Sequence, residues 1–343
     1  MNKKILVTGG LGYIGSHTVV ALLRAGYTPV IVDNLDNSRA GILGQLEQIT
    51  GVKPEFHNID LNDEAKVSAF INDNDDIEGV IHFAAHKAVG ESVASPLKYY
   101  RNNFNSLFSI LQAFEGRNLN LVFSSSCTVY GQPDVLPVNE AAPVKKAESP
   151  YGNTKQVAEE ILQDIAKADK LKNIISLRYF NPVGAHASAL IGELPIGVPQ
   201  NLVPFITQSA IGKRGAITVY GDDYATPDGS CIRDYIHVVD LAEAHIAALK
   251  RLEQDGLDNN YEVFNIGTGN GYTVLEVIKT FEAETGIKLN YKIGDRREGD
   301  IEKVWGDVTR SKAGLKWEAK LGIGDMMRSA WAWEKYLEQN EIK

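Results

Sequence analysis

Cysteine is scarce in this sequence, which has two, Cys127 and Cys231, among 343 residues. Two cysteines cannot form a disulfide framework, and no cluster of four Cys or His residues has the spacing of a structural zinc site. Long apolar runs are missing as well. None approaches the ~20 residues that cross a bilayer, and the run after the basic start ends at Gly9, too early for a secretory signal. We expect a cytoplasmic protein in a reducing compartment, with no metal and no membrane partner.

Positive charge is also in deficit. Lys and Arg total 35 against 44 Asp and Glu, a net charge of −9. Nucleic-acid binding needs a basic face, so no nucleic-acid partner is expected. With 44% hydrophobic and 23% charged residues, the composition is that of a globular chain rather than a disordered one. An anionic ligand would have to be met locally, by helix N-termini and a few placed cations.

Short β-branched runs alternate with helical patterns over the first 180 residues. The runs at 4–8, 28–32, 79–84, 120–124 and 173–180 are apolar on both faces, as in a buried parallel sheet. The alternation predicts an α/β fold with a doubly wound, mostly parallel Rossmann-type sheet.

The composition changes from Pro182 onward, where Gly, Pro and Asn become frequent. We expect two domains: residues 1–180 as a nucleotide-binding domain, and residues 181–343 as a smaller mixed α/β domain for the substrate. A strand near 261–267 is expected to return to the first sheet and complete it.

A glycine cluster follows the first predicted strand. Gly10, Gly12 and Gly15 fit G-x-G-x-x-G, while Gly9, Gly12 and Gly15 fit G-x-x-G-x-x-G equally well. In either register the glycines allow a tight turn and let the backbone approach a pyrophosphate at the start of the next helix. The position between a predicted strand and a predicted helix indicates dinucleotide binding.

Two acidic positions follow later predicted strands. Asp33 ends the second strand, where a carboxylate accepts hydrogen bonds from the adenosine ribose and repels a 2′-phosphate, which favours NAD over NADP. The nearby Arg39 leaves NADP open. Asp60 and Leu61 could form a carboxylate and an apolar wall at the adenine, although Asp60 could equally be a helix N-cap.

Tyr151 and Lys155 are four residues apart, and on a helix they share one face. An ammonium beside a phenol is expected to lower the pKa of Tyr151 from ~10 toward working pH, which makes Tyr151 a candidate general acid/base. Ser124 and Ser126 end a predicted strand, and a proline-rich loop leads from there to Tyr151. A strand-end hydroxyl with a Tyr/Lys pair, in a chain with a dinucleotide turn, indicates hydride transfer.

Longer strings carry a resemblance to a known family. They are HFAAHKAVGES at 82–92, RYFNPVGAH at 178–186, PQNL at 199–202, RDYIHV at 233–238 and RREGD at 296–300. With the motifs above, they make the sequence similar to the UDP-glucose 4-epimerase family of the extended short-chain dehydrogenase/reductase superfamily, over nearly the whole chain.

The resemblance implies an isomerase that interconverts UDP-glucose and UDP-galactose through transient oxidation at sugar carbon 4. Tyr151 would remove the proton of the 4-hydroxyl, and hydride would pass to a tightly held NAD. The 4-keto sugar would turn over and receive hydride on its other face. Lys155 would hold the nicotinamide ribose, and Ser126 would hydrogen-bond the reacting oxygen. The family also forms homodimers through helices that match 97–115 and 151–168.

The resemblance also implies the ligand contacts. NAD would be held by Gly9, Gly12, Tyr13, Ile14, Gly15, Asp33, Asn34, Asn37, Ser38, Asp60, Leu61, Phe83, Ala84, Lys87, Asn102, Ser124, Tyr151, Lys155 and Phe180. The UDP-sugar would meet Lys87, Ser126, Tyr151, Asn181, Asn201, Leu202, Tyr220, Arg233, Arg297, Asp300 and Val304, with Phe180 lining the same site.

Val304 bears on substrate breadth. Some bacterial members of the family carry a Tyr at the matching position, which narrows the sugar pocket. Val is smaller, so the resemblance suggests room for a 2-acetamido group and turnover of UDP-N-acetylglucosamine and UDP-N-acetylgalactosamine as well.

Three other functions fit parts of the pattern. A nucleotide-sugar dehydratase needs an acid/base pair after the serine run, where this chain has Cys127 and Thr128. A decarboxylase of the superfamily usually has Glu at the place of Thr128. A non-catalytic NAD-sensing module would have no need of Tyr151, Lys155 and Ser126 together.

Overall fold

Parallel strands alternate with helices through the first half of the chain, as the apolar runs predict. The computed structural model describes residues 2–254, 257, 260–297 and 301–342. Its strands are β1 (Lys4–Thr8), β2 (Thr28–Asp33), β3 (Glu55–Asn58), β4 (Ile77–His82), β5 (Leu119–Ser126), β6 (Lys172–Tyr179), β7 (Asn181–Val183), β8 (Ile217–Tyr220), β9 (Ile232–His237), β10 (Tyr261–Ile266), β11 (Gly271–Thr273), β12 (Tyr291–Gly294) and β13 (Lys303–Val304). Its helices are α1 (Tyr13–Arg24), α2 (Ile42–Thr50), α3 (Glu64–Asp73), α4 (Val89–Ala94), α5 (Pro96–Ala113), α6 (Pro150–Ala168), α7 (Leu202–Ala210), α8 (Val238–Leu252), α9 (Val274–Thr285), α10 (Thr309–Leu315) and α11 (Ile323–Gln339).

Among the described residues, seven strands form one parallel sheet in the order β10-β6-β5-β4-β1-β2-β3. The order reverses between β1 and β4, and ligands of such sheets bind beyond the carboxyl ends of the strands at that point. β10 pairs with β6 from Tyr261↔Ile174 to Ile266↔Tyr179. The predicted return of the chain to the first sheet is therefore confirmed.

Helices cover both faces of this sheet because its strands are apolar on both sides. On one face α1, α2 and α8 contribute side chains such as Val20 and Leu241 to the core. On the other face α3, α5 and α6 contribute Leu107 and Leu162, among others. This arrangement confirms the doubly wound fold. Within the described part of the chain, no helix combines the length and apolarity needed to cross a membrane.

A smaller mixed sheet follows, centred on β9. β7 and β13 pair with β9 in parallel and β11 pairs with it antiparallel, while β8 and β12 form a separate parallel pair. α7, α9 and α11 surround a core of their own that includes Ile206, Phe281 and Met327. The division at residue 180 stays a prediction, since α8 and β10 come after it and pack on the first sheet.

Several element boundaries lie beyond the apolar runs. β5 continues through its serines to Ser126, because their backbone pairs with β6 up to Ser126↔Tyr179. α6 starts at Pro150, a favoured first helical residue, and Ser149 caps it by accepting the Gly152 N–H at 3.1 Å. The catalytic candidates therefore sit on a strand end and on the first two turns of a capped helix.

Candidate active site

The turn after β1 is built around one backbone oxygen. Gly9 has φ +68°, and its N–H donates to Val32 O at 2.8 Å. A Cβ at Gly15 would lie 2.2 Å from Gly9 O, and a Cβ at Gly12 would lie 3.2 Å from the same atom. The close approach to Gly9 O thus requires Gly15 above all, while a Cβ at Gly10 would lie 2.8 Å from the Ile31 side chain, so both glycine registers fit the turn. α1 starts immediately afterwards with Gly12 as its N-cap, so unpaired N–H groups face the end of the sheet.

Asp33 is nearly buried at the end of β2, where it links two loops. Its Oδ2 accepts the Leu11 N–H at 3.1 Å, which reaches it from the glycine turn. Its Oδ1 accepts the Leu35 N–H at 2.9 Å and the Ser38 hydroxyl at 2.8 Å. The predicted ribose carboxylate therefore lies directly beside the predicted pyrophosphate turn. Asn34, Asn37 and Ile14, the other candidates from this region, lie in the same loop and in the first turn of α1.

The candidates for an adenine wall lie at the next strand ends. Leu61 is buried, and the Asn62 side-chain amide donates to Asp60 at 2.8 Å and to Asn102 at 3.0 Å. The N-cap of α3 is Asp63, which accepts a backbone N–H one turn along. The alternative interpretation of Asp60 as that N-cap is therefore wrong.

The segment after β4 closes over the glycine turn. The Phe83 N–H donates to Thr8 O at 3.1 Å, and the Ala84 N–H lies 3.4 Å from the Thr8 hydroxyl. A Cβ at Gly9 would be 3.0 Å from the Ala84 nitrogen. The two backbones therefore meet at the point where the strand order reverses.

Lys87 and Tyr13 extend this surface toward the second half of the chain. The Lys87 ammonium lies 5.7 Å from the centre of the Tyr13 ring and 3.4 Å from a Glu193 carboxylate oxygen. The Tyr13 hydroxyl donates to Gly184 O at 2.6 Å. Burial and the nearby Glu193 raise the pKa of Tyr13, so its hydroxyl stays protonated.

The structure brings Ser126, Tyr151 and Lys155 together at the end of β5. The Ser126 hydroxyl lies near the Tyr151 phenol and acts to lower its pKa. The Lys155 ammonium donates to Ser124 O at 2.5 Å, lies 6.0 Å from the centre of the Tyr151 ring and covers the Phe123 ring at 4.8 Å. The Tyr151 phenol, the Ser126 hydroxyl and the Lys155 amine thus converge at the edge of the sheet that also carries the glycine turn.

Burial dominates the electrostatics of this trio. It raises the pKa of Tyr151 to about 12, against the opposing hydrogen bond from Ser126. It lowers the pKa of Lys155 to about 7, against the opposing charge of Glu159. The expectation that the pKa of Tyr151 is lowered is wrong for the protein alone, because desolvation of the buried phenol has the largest effect and raises that pKa.

The substrate candidates of the smaller sheet lie side by side. Asn181 pairs with Tyr235 in the β7–β9 register, and Val304 pairs with Arg233 in the β13–β9 register. Val304 is 3% exposed and packs in one cluster with Phe180. Its side chain is therefore packed inside the protein beside Phe180, and its effect on substrate breadth stays a prediction.

The remaining substrate candidates lie on α7 and β8. Asn201, with Leu202 next to it, caps α7 and donates to Glu193 at 2.6 Å. Tyr220 is exposed at the end of β8, with the Arg297 guanidinium 5.5 Å from its ring centre. Asp300, the last candidate, lies outside the described residues.

Comparison with known proteins shows to which family the chain belongs. It matches the family model described as GDP-mannose 4,6 dehydratase over residues 6–330. It is 49% identical over 332 residues to the UDP-glucose 4-epimerase of Bacillus subtilis (strain 168), with 96% of each chain covered. The chain belongs to the UDP-glucose 4-epimerase family.

Solved structures of UDP-glucose 4-epimerases share the whole fold. One, from Stenotrophomonas maltophila with bound NAD and formylated UDP-arabinopyranose, is 45% identical with a TM-score of 0.94, covering 98% of this chain and 99% of that chain. Another, from Bifidobacterium longum in complex with NAD+ and UDP, is 45% identical with a TM-score of 0.92, covering 97% of this chain and 98% of that chain.

Three carboxylates of this epimerase-family site escaped sequence reasoning. Asp234 is fully buried and accepts hydrogen bonds from Thr268, Gly269 and Gly306, which ties β9 to two loops. Its place directly after Arg233 was a usable signal. Glu159 is four residues after Lys155, the same helical spacing that singled out Tyr151. Glu193 stands in no motif, and its contacts with Lys87 and Asn201 exist only in the folded chain.

Proposed function

We propose that the chain interconverts UDP-glucose and UDP-galactose by transient oxidation at sugar carbon 4, with NAD as its resident cofactor. The observation that carries the proposal is the convergence of Tyr151, Ser126 and Lys155 at the strand end beside the glycine turn. The family membership given above supports the same activity.

The residues present fit NAD. The turn at Gly9, Gly12 and Gly15 has no room for a Cβ at its centre, as expected where a backbone approaches a pyrophosphate. The Asp33 carboxylate beside it suits ribose hydroxyls and disfavours a 2′-phosphate, and Leu61 offers an apolar wall to adenine. Bound NAD supplies the acceptor for the hydride of sugar carbon 4.

Tyr151 is the group that removes and returns the proton of the sugar 4-hydroxyl. Ser126 lies against it, and its Oγ accepts the Thr128 N–H at 3.2 Å, so Ser126 is placed to hydrogen-bond the reacting oxygen. With a pKa of about 12 in the protein alone, Tyr151 needs a positive charge nearby to act as a base. The Lys155 ammonium, on the same face of α6, is the chain's own source of that charge.

The smaller sheet holds the nucleotide part of the substrate. Asn181 and Arg233 face the diphosphate, Arg297 and Tyr220 lie toward the UDP, and Asn201 and Leu202 border the site at α7. An epimerase must present both faces of carbon 4 to one hydride acceptor, so the UDP stays fixed while the sugar turns.

Two aspects of specificity follow. The small side chain of Val304 supports turnover of the 2-acetamido sugars, which an assay of both substrate pairs decides. Dehydration is disfavoured, although the matching family model carries a dehydratase description, because burial raises the pKa of the Cys127 thiol to about 12 and Thr128 is not an acid.

A homodimer through α5 and α6 completes the proposal. Tyr100, Phe104 and Phe108 follow at four-residue intervals, with ring centres 5.9 and 6.1 Å apart. Phe108 is 43% exposed and Leu97 61% exposed in the single chain. The Asn153 amide donates to the Tyr100 hydroxyl at 2.9 Å, which links this surface to α6. A second copy would bury these rings.

The two cysteines bear on the compartment in which the protein works. Cys127 and Cys231 are both free thiols, which supports a reducing compartment. We assign the protein to the cytoplasm and to galactose metabolism, because the proposed substrates are UDP-hexoses.

Product analysis with UDP-galactose and no added NAD tests the activity. UDP-glucose should form with no net change at 340 nm, whereas a net oxidoreductase would accumulate NADH. Tyr151→Phe should lower turnover by about 10²- to 10⁴-fold. Tyr291→Phe, at an exposed tyrosine of β12, is the matched control, and full turnover by Tyr151→Phe would refute the acid/base role.

A further inference from the structure

A buried ion pair lies one helical turn beyond Lys155. The Glu159 carboxylate accepts two-pronged hydrogen bonds from Arg178 of β6, with Nη2 at 2.6 Å from Oε2 and Nε at 3.0 Å from Oε1. Glu159 is 7% exposed and Arg178 5%. Buried charges are costly unless they are paired with good geometry, and a fork–fork pair of this kind is geometrically specific. An ion pair buried at this position therefore needs a structural or functional reason.

The same carboxylate also holds the strand that carries the catalytic serine. The Ser125 hydroxyl donates to Glu159 Oε1 at 2.5 Å. Ser125 and Arg178 are register partners on β5 and β6, so both reach Glu159 from the same side of the sheet. Ser125 lies between Ser124 and Ser126. The Ser124 carbonyl accepts a hydrogen bond from the Lys155 ammonium. Glu159 thus fixes the end of β5 against α6 within one residue of both catalytic contacts.

Charge gives the second reason for its position. Residues four apart on a helix are neighbours on one face. Tyr151, Lys155 and Glu159 are spaced in this way along α6, so Glu159 is the next neighbour of Lys155 on that face. Burial lowers the pKa of Lys155 to about 7, and the negative charge of Glu159 opposes that shift. Without this carboxylate, the amine would lose its proton more readily and leave Tyr151 with no cation beside it.

Other titratable groups face the two residues from every neighbouring element. Glu159 meets Tyr261 of β10 and, through Arg178, the Tyr130 ring 4.8 Å from the guanidinium. Lys155 faces His82 of β4 and Tyr151 of its own helix. Burial raises the pKa of each of these three tyrosines and lowers that of His82. All four are neutral near pH 7. Glu140, whose backbone oxygen lies 3.5 Å from Arg178, adds a negative charge that acts on Tyr130, and among the described residues Glu159 is the charged group that acts on Lys155.

We propose that Glu159 is a positioning residue of the catalytic set. Clamped by Arg178 and Ser125, it holds the end of β5 in place and supplies the negative charge that keeps Lys155 an ammonium ion. Glu159 itself touches neither substrate nor cofactor. The inference rests on the proposed epimerase function, because it assigns a role within that site.

The test compares variants of the NAD-saturated protein by two readouts. Glu159→Gln removes the charge and keeps the shape, Glu159→Asp keeps the charge, and Glu160→Gln makes the same charge change at the next, exposed residue of α6. Turnover of UDP-galactose is measured from pH 6 to pH 10. The protonation of Lys155 is followed independently by NMR of ¹³Cε-labelled lysine, with Lys155→Arg to assign its signal.

Glu159→Gln should move the Lys155 titration, and with it the alkaline limb of turnover, down by about one pH unit. Glu159→Asp should restore both, and Glu160→Gln should match the unaltered protein. If Glu159→Gln does not fold, because it leaves Arg178 unpaired, Glu159→Met with Arg178→Met removes both charges together and should shift the Lys155 titration downward by a smaller amount, since the Arg178 cation is lost as well. An unchanged Lys155 titration in whichever of these variants folds overturns the inference.

The two proposals fail separately. Absence of epimerisation by the unaltered protein would refute the proposed function, while the lysine titration would still report whether Glu159 holds the proton on Lys155. If Glu159→Gln epimerises UDP-galactose and the alkaline limb of its pH profile does not move, the role of Glu159 is refuted and the proposed function is not.

Discussion

Acid should unfold this protein well above the pH at which its carboxylates titrate, because it buries neutral histidines. Burial lowers the pKa of His17 and His82 to about 3, and that of His237 and His245 to about 4. In the unfolded chain a histidine has a pKa of ~6.5. The folded state therefore binds fewer protons than the unfolded state between pH 6.5 and pH 4. Stability from these groups is present above pH 6.5 and is lost as pH falls.

The size of the loss follows from the shifts. Each of the four histidines costs about 1.9 kcal/mol between pH 7 and pH 5, or about 7.5 kcal/mol together. Two buried carboxyl groups oppose them. Burial raises the pKa of Asp234 to about 6 and also raises that of Asp240, and the protonation of Asp234 restores about 1 kcal/mol over the same interval. The net loss of ~6 kcal/mol is comparable to the total stability of many proteins, ~5–15 kcal/mol.

Urea unfolding at pH 7, 6 and 5, with saturating NAD in every sample, measures this slope. His82→Asn, which replaces the ring that lies 2.9 Å from the Thr8 hydroxyl with a group that does not titrate, should reduce the average slope between pH 7 and pH 5 by about 1 kcal/mol per pH unit. A total loss below about 2 kcal/mol between pH 7 and pH 5 would show that these rings are hydrated or charged in the folded state, and the reasoning from burial would be wrong.

Three further changes probe the cofactor turn, the cofactor choice and the assembly. Gly15→Ala places a Cβ 2.2 Å from a backbone oxygen and should weaken NAD binding at least about tenfold by calorimetry; Gly44→Ala, where a Cβ meets nothing within 4 Å, should bind normally, and equal affinities would contradict the close approach. Asp33→Asn should raise the affinity for NADP relative to NAD at least about tenfold, and an unchanged ratio in paired titrations would remove Asp33 as the discriminating group. Phe108→Asp should yield monomers in sedimentation, whereas Leu171→Asp, at another exposed apolar residue, should not; dimers of both would place the interface elsewhere.

The parallel sheet was predictable because its strands are buried on both faces. Runs such as 28–32 and 173–180 carry apolar residues on both faces. This pattern is typical of a strand that is buried on both sides of a parallel sheet. The end of β5 was not predictable from the same signal. Ser124 to Ser126 are polar, and they extend the strand because their backbone groups pair with β6. Local apolarity finds the centre of a strand, while the partner strand decides where it ends.

The proposed catalytic pair could be picked out from its spacing and its sequence context, and its supporting groups could not. Tyr151 and Lys155 stand four residues apart beside recognisable motifs. Arg178 lies 19 residues from Glu159, and Ser125 lies 34 residues from it, so their meeting depends on how α6 lies across β5 and β6. The sign of the Tyr151 pKa shift failed for the same reason. Spacing brings a cation near the phenol, but desolvation is a property of everything packed around it.

The net charge of −9 has a similar limit as a guide to ligands. At physiological salt, exposed charges are screened beyond ~8 Å, so a bound diphosphate senses the groups around it rather than the sum over the chain. In the proposed site those groups are the N-terminus of α1 and the cations Lys87, Arg233 and Arg297. Each cation has a described contact: Glu193 for Lys87, the Ile232 carbonyl for Arg233 and the Tyr220 ring for Arg297. An acidic chain can therefore bind two anionic nucleotides, because local placement rather than overall charge determines where anions bind.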